Sequence, residues 1–281
     1  MDKMKSSKEL CPYCRSEAKL DFIIYEGLSF RCKSCDLMFR GAEDAEGLPQ
    51  HYKDSYFSYY AHDELTGTRN AIYSHALDLI ERETAVGKIL DVGCGCGFFL
   101  KEAKNRGWNI TGIDPSQESI AYSKGLLGLS FTHEGTLNDI SQENEFDVIT
   151  MINVMGLSSD PWVDLEKAKA LLKEKGLLYF RLPNGIFHSA LFRFFIRFKM
   201  SYLTKFFLVS HKYSLTPRFI RRLLSDYGFS MVVIQNASFS EGGFINRLLI
   251  KAVGITVNSL NFISGGRILA GPSLEVLARK A

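Results

Sequence analysis

Apolar and polar positions change period several times along the chain, and each change marks an element. Around Gly27, "LDFIIYEGLSFR" alternates apolar with polar residues, the period-two pattern of a small β-hairpin. "KILDV" at 88–92 is a short apolar run that ends in the turn "GCGCG" and reads as a buried strand. The stretch from Phe98, "FFLKEAKNRG", takes up helical spacing, and "WNITGID" at 108–114 is a second strand. Strand, turn, helix and strand in that order make one βαβ unit, so the expected fold class is α/β with a doubly wound sheet. Farther along, Phe187, Leu191, Phe194, Phe195, Phe198 and Tyr202 recur at helical spacing while Arg193 and Arg197 lie off that stripe, which predicts an amphipathic helix.

Composition narrows the class. The chain has 281 residues, 46% hydrophobic and 23% charged, enough for one sizeable core with a small appendage and ordinary for a folded soluble domain. Its net charge of +3 does not point to a polyanion-binding protein, although no Asp or Glu occurs from Lys175 to Ser225 and the field there is positive. The start, "MDKMKSSKELC", has no apolar h-region, and no run approaches the roughly 18 apolar residues that cross a bilayer. A cytoplasmic, reducing setting is the expectation, so paired cysteines read as metal ligands before disulfides.

Four of the six cysteines fit that reading. Cys11 and Cys14, then Cys32 and Cys35, form two C-x-x-C knuckles separated by seventeen residues, a spacing that suits one tetrahedral zinc ion. Residues 1–40 are therefore expected to be a zinc ribbon whose structural metal replaces a core that some forty residues cannot build alone.

The glycine turn needs a different account. Gly93, Gly95 and Gly97 let a ligand approach the backbone closely, the following helix start offers unpaired N–H groups, and Asp114 ends the next strand where an acid can grip ribose hydroxyls. Two cofactors suit such a half, a dinucleotide and S-adenosylmethionine. The spacing is G-x-G-x-G and Asp91 precedes the turn; its carboxylate would repel a pyrophosphate but suits an ammonium and a sulfonium. "LDVGCGCG" thus resembles motif I of the class I S-adenosylmethionine-dependent methyltransferases. "TGIDPSQESIAYSK" is similar to their second motif, "FDVITMINVMGLSSDPWVDLEKAKALLKEKGLLYFRLPN" to their fourth and fifth strands, and "YSLTPRFIRRLLSDYGFSMVVIQ" with "SLEVLARK" to the last two. The resemblance implies a seven-stranded Rossmann-like sheet over 81–281, S-adenosylmethionine as cofactor, and a cofactor site of Asp91, Gly93, Cys94, Gly95, Gly97, Asp114, Pro115, Thr136, Leu137 and Asn153. Cys94 and Cys96 then serve as small residues in a tight turn, with no cation nearby in sequence to make either a nucleophile.

Many relatives of the ubiquinone type carry an acid and a histidine where this chain has Gly156 and Leu157, so catechol-type O-methylation is not expected. His211 is the candidate base by the same resemblance; its bland alternative is a surface or capping histidine. Residues 41–80 pack five aromatics between Tyr52 and Tyr60, read as a helix against the main domain or a lid over the cofactor. Insertions at 185–215 and 240–272 are expected to enclose the acceptor, a small molecule or a lipid- or saccharide-linked one, with peripheral membrane contact through 186–210 as one alternative and an oligomer interface as another. Two rival functions remain: an RNA methyltransferase assisted by the ribbon, which the burial expected of the phenylalanines disfavours, and a non-catalytic module that binds the cofactor.

Overall fold

A computed structural model of the chain describes residues 8–24, 27–41, 65–125, 127–200, 211–238 and 269–281, with Ser259, Ile263 and Ser264 as isolated positions. The aromatic segment from Tyr52 to Tyr60, Tyr202 and most of the 240–272 insertion lie outside the described residues.

The main sheet has seven strands. In chain order these are β5 (Lys88–Val92), β6 (Asn109–Asp114), β7 (Thr132–Glu134), β8 (Phe146–Ile152), β9 (Leu172–Pro183), β11 (Phe229–Asn236) and β12 (Ser273–Lys280). Their spatial order is β11-β12-β9-β8-β5-β6-β7. The five strands from β9 to β7 run parallel, and β12 inserts antiparallel between β9 and β11. Order reverses at β5, where the chain turns from β6 and β7 on one side to β8 and β9 on the other. That reversal leaves a crevice at the carboxyl ends of the strands.

Helices cover both faces. On one face α1 (Asn70–Glu81), α2 (Phe98–Asn105) and α3 (Gln117–Gly125) close a core that includes Leu77, Ile89, Leu100, Trp108, Val148 and Tyr179. On the other, α4 (Pro161–Leu171) and α6 (Pro217–Asp226) bury Leu165, Ala168, Phe219, Ile220 and Leu223 against Ile149, Phe180 and Val276. Burial fixes the faces of β9 by its period of two: Leu177 and Tyr179 belong to the first core, Leu178, Phe180 and Leu182 to the second.

A second sheet holds the cysteines. Its strands β1 (Lys8–Leu10), β2 (Glu17–Ile24), β3 (Gly27–Cys32) and β4 (Met38–Arg40) pair antiparallel, and its fifth strand, β10 (Tyr213–Ser214), comes from the main domain. The ribbon is thus stitched into the body. Tyr13 lies edge-on to Phe219 at 5.0 Å, tilts against Trp162 at 5.4 Å and donates to Asp226 at 2.6 Å. Thr216, which caps α6 by accepting from the Phe219 amide, also donates to the Asp36 carbonyl at 3.1 Å.

The helix α5 (Gly185–Arg197) forms where the amphipathic pattern predicts it, capped by Asn184. Its buried face differs from the expected stripe. Ser189, Phe192 and Phe195 turn inward, whereas Phe194 and Phe198 are 51% and 59% exposed. The reason is the ribbon: Asp21 accepts from Ser189 and pairs with Arg193, and Phe22 packs edge-on to Phe192, so α5 is rotated toward β2. No helix among the described residues is long and apolar enough to cross a membrane.

Candidate functional site

The turn after β5 is pinned from behind. The amides of Gly93 and Cys94 both donate to the Ile113 carbonyl, at 2.8 and 3.0 Å, which fixes the turn on β6. Gly93, Gly95 and Gly97 have φ of +68°, +52° and +85°. At Gly93 a side chain is excluded twice, by that φ and because a Cβ would overlap Val154 from the loop after β8. Cys94 fills the space over Gly112, where a Cβ on Gly112 would stand 2.9 Å from its Sγ. It is buried, as is Cys96, in keeping with the expected packing role.

Two acids flank this turn. Asp91 is 2% exposed, and one of its oxygens accepts from the Thr150 hydroxyl of β8 at 2.6 Å. Asp114 is 4% exposed and accepts from the amides of Gly95 and Ser116, each at 2.8 Å. Burial pushes its carboxyl above the usual range, and the two amides pull it back. Each oxygen keeps a lone pair for a further donor. Pro115 leads into α3, whose first turn is capped by Ser116. Thr136 and Leu137 stand at the next strand end. Thr136 closes a capping box with Asp139 at the edge, and Leu137 turns into the core at 2% exposure.

Across the switch point, β8 is followed at once by Asn153, which has φ of +62°, donates its amide to the Arg181 carbonyl and accepts from the Arg181 guanidinium at 3.1 Å. Arg181 is a site-edge residue that the sequence reading passes over; its signal is a lone arginine inside the apolar run "GLLYFRLP".

Gly156 and His211 form one packing unit. A Cβ on Gly156 would overlap Nδ1 of His211, so the ring from the far insertion fills the volume that a side chain at 156 would take. His211 is 7% exposed and its Nδ1 has no hydrogen-bond partner among the described residues. Gly156→Ala should therefore cost about 1–3 kcal/mol in urea unfolding, and His211→Ala in the same chain should recover part of that loss. Additive penalties would show that the two do not share a space.

Burial also pushes the His211 imidazole down to about 3, against an opposing contact with the Gly156 backbone and with the charges of His188 and Arg40 adding to the effect. Its unfolded value is about 6.5, so the unfolded chain binds more protons below that pH. The stability that the neutral ring confers is complete above about pH 6.5 and is lost as pH falls toward about 3, on the order of 5 kcal/mol in all. His188 shifts in the same direction through burial. His211→Phe should flatten this acid limb in denaturant titrations at pH 7 and pH 4.5, whereas an unchanged limb would place the proton uptake elsewhere.

The four ribbon cysteines converge as the spacing predicts. Their Sγ atoms all lie within 4.8 Å of one another, with Cys11 to Cys35 at 3.6 Å and Cys14 to Cys32 at 3.5 Å. Zinc–sulfur bonds of about 2.3 Å set tetrahedral sulfur separations of about 3.8 Å, so the set fits one zinc ion with no open position. The two knuckles match: Arg15 and Asp36 donate to the carbonyls of Cys11 and Cys32, and both have positive φ. A hydrogen bond from Cys35 draws the Cys11 thiol down to about 5, while the same contact and burial push Cys35 up.

A cavity of about 530 Å³ opens between α1 and α2, lined by residues including Leu65, Asn70, Tyr73, Phe98 and Lys101. Asp91, Gly93 and Asp114 do not line it, so it is a groove beside the crevice.

Comparisons with known proteins agree with this arrangement. Residues 66–234 match the family described as "Methyltransferase domain". A ubiquinone biosynthesis O-methyltransferase of Actinobacillus pleuropneumoniae is 34% identical over 107 residues, 34% of this chain and 46% of the relative. One from Vibrio parahaemolyticus is 30% identical over 111 residues, 37% and 47% of the two chains. The chain thus spans about half the length of the curated relatives it matches. Among solved structures, a SAM-dependent methyltransferase from Archaeoglobus fulgidus aligns with a TM-score of 0.54 at 20% identity, over 80% of this chain and 99% of that one. Magnesium protoporphyrin IX methyltransferase from Synechocystis PCC 6803, solved with bound SAH, aligns with a TM-score of 0.56 at 13% identity, over 83% and 97%. These two likenesses concern the fold.

Proposed function

The chain belongs to the methyltransferase-domain family, and from that premise we propose that it transfers a methyl group from S-adenosylmethionine to a small-molecule acceptor, free or carried on a lipid or saccharide. The observation that carries the proposal is the glycine turn, held open by positive φ and closed against two buried carboxylates, Asp91 and Asp114. S-adenosylmethionine, when bound, supplies a methyl group already activated on a sulfonium. Asp91 faces the ammonium end with its orientation set by Thr150, and the turn leaves room for the methionyl chain. Asp114 takes the ribose hydroxyls on its two spare lone pairs, Pro115 directs the chain into α3, and Thr136 with Leu137 flanks the base.

The printed name of the relatives, O-methyltransferase, favours a small acceptor. In our reading the protein contributes alignment more than proton abstraction. His211 is neutral at pH 7, and a pKa of about 3 makes it a weak base for a hydroxyl, so it holds the loop after β8 in place. Cys11, Cys14, Cys32 and Cys35 hold a structural zinc that fixes the wall behind that loop. S-adenosylhomocysteine release over a panel of hydroxyl, amine and thiol acceptors, with Asp114→Ala as blank, tests the reading. Turnover in the wild type alone supports it; equal release from both proteins would refute it.

A further inference from the structure

Arg181 is a half-buried cation at the carboxyl edge of the sheet with no carboxylate in ion-pair contact among the described residues. Its guanidinium donates to Asn153 Oδ1 at 3.1 Å and to the Ser238 carbonyl at 3.3 Å, while Nε is shut off from solvent and has no partner among the described residues. The acid directly across the strand pair, Glu275, is occupied by His75 at 2.9 Å, Gln235 at 2.9 Å and the Tyr179 hydroxyl at 3.1 Å. Burial opposes the Arg181 charge most, Arg69 at the start of α1 opposes it as well, and Glu275 across the strand pair offsets part of this without touching the guanidinium. Arginine cannot escape by losing its proton, and a guanidinium N–H closed off from water without an acceptor is costly to the fold. Such an arrangement persists where a ligand completes it.

We infer that Arg181, held by Asn153, binds an anionic oxygen group, a carboxylate or phosphate, carried by the methyl acceptor. This deepens the functional proposal above and rests on it. A guanidinium whose Nε is free offers the fork geometry that carboxylate and phosphate oxygens match. Position assigns the anion to the acceptor. Sheet order places Asp114 one strand from the glycine turn on one side and Arg181 two strands away on the other, about 10 Å at ordinary strand spacing. The cofactor extends from the turn toward Asp114, and the β8–β9 side beyond Asn153 is left to the acceptor. The methionyl carboxylate is the other source of the same chemistry, and the test separates the two.

The probes are S-adenosylhomocysteine, titrated calorimetrically, and inorganic phosphate, added at constant ionic strength to the protein saturated with S-adenosylhomocysteine while thermal unfolding is followed. Wild type should bind S-adenosylhomocysteine and gain a further upward shift from millimolar phosphate. Arg181→Met should keep S-adenosylhomocysteine affinity within about threefold and lose the phosphate shift, a weakening on the order of 100-fold for a truncated charge-assisted contact. Arg181→Lys keeps the charge without the fork; should the methionine variant fail to fold, it should show the same unchanged cofactor affinity with about tenfold weaker phosphate binding. Loss of S-adenosylhomocysteine binding in either variant would assign the guanidinium to the cofactor and overturn the inference. An undiminished phosphate shift in both would overturn it as well, by placing the anion elsewhere. Absence of S-adenosylhomocysteine binding in the wild type would instead refute the functional proposal itself.

Discussion

Asp114→Ala should erase the stabilisation that S-adenosylhomocysteine gives the wild-type protein. At a hundredfold excess over its dissociation constant the ligand adds about 2.7 kcal/mol to a one-site protein, which corresponds to an upward shift of roughly 5–10 °C for a domain of this size. The carboxylate does two things here. It accepts from the Gly95 and Ser116 amides, joining the turn to the start of α3, and its remaining lone pairs face the crevice. Alanine removes both, so the turn loosens as the ribose loses its partner, and affinity should fall by at least 100-fold. Asp114→Asn separates the effects, because one amide contact survives and an acceptor is lost. A shift as large in Asp114→Ala as in the wild type would show that the ligand binds away from this strand end.

Removal of the zinc proposed for the ribbon should produce the second large effect. Structural zinc in a four-cysteine site contributes about 10–16 kcal/mol of apparent binding energy to the fold that holds it. This ribbon has little else of its own, and it lends β4 to β10 of the main domain. Chelation, or Cys32→Ser, should release Tyr13 from Trp162 and Phe219 and free the loop that presents His211. The chain has two tryptophans, and only Trp162 touches the ribbon, while Trp108 lies in the opposite core. Acrylamide quenching of a Trp108→Phe variant should therefore rise on chelation, and that of Trp162→Phe should not. S-adenosylhomocysteine should still bind, because the glycine turn is anchored on β6. Equal quenching before and after chelation, with no metal in the purified protein, would contradict the zinc assignment.

Local signals carried much of this site in the sequence. "KILDV" coincides with β5 residue for residue, because a short apolar run bounded by a glycine turn has few other ways to bury itself, and "SLEVLARK", placed by its resemblance to the family's last strand, coincides with β12. The C-x-x-C knuckles and the glycine turn were legible for the same reason: each is a backbone constraint written within a few residues. What stayed hidden depends on long-range packing. That β10 completes the ribbon sheet, that Asp21 and Phe22 rotate α5 and turn Phe194 outward, and that His211 fills the space over Gly156 are contacts between segments more than fifty residues apart. Periodicity reports which residues prefer burial, and the partner that covers them decides which face wins. Arg181 escaped notice because an arginine in an apolar strand reads as an edge residue until its neighbours are known to be occupied.

A crystal grown with S-adenosylhomocysteine tests the central claim most directly. The account predicts density over the β5–β6 edge, with the ribose hydroxyls on the Asp114 carboxylate and the methionyl chain against Gly93 and Gly95. Millimolar ligand with that edge clear in well-ordered density would contradict it, and the glycine turn would then stand as a structural turn without a cofactor.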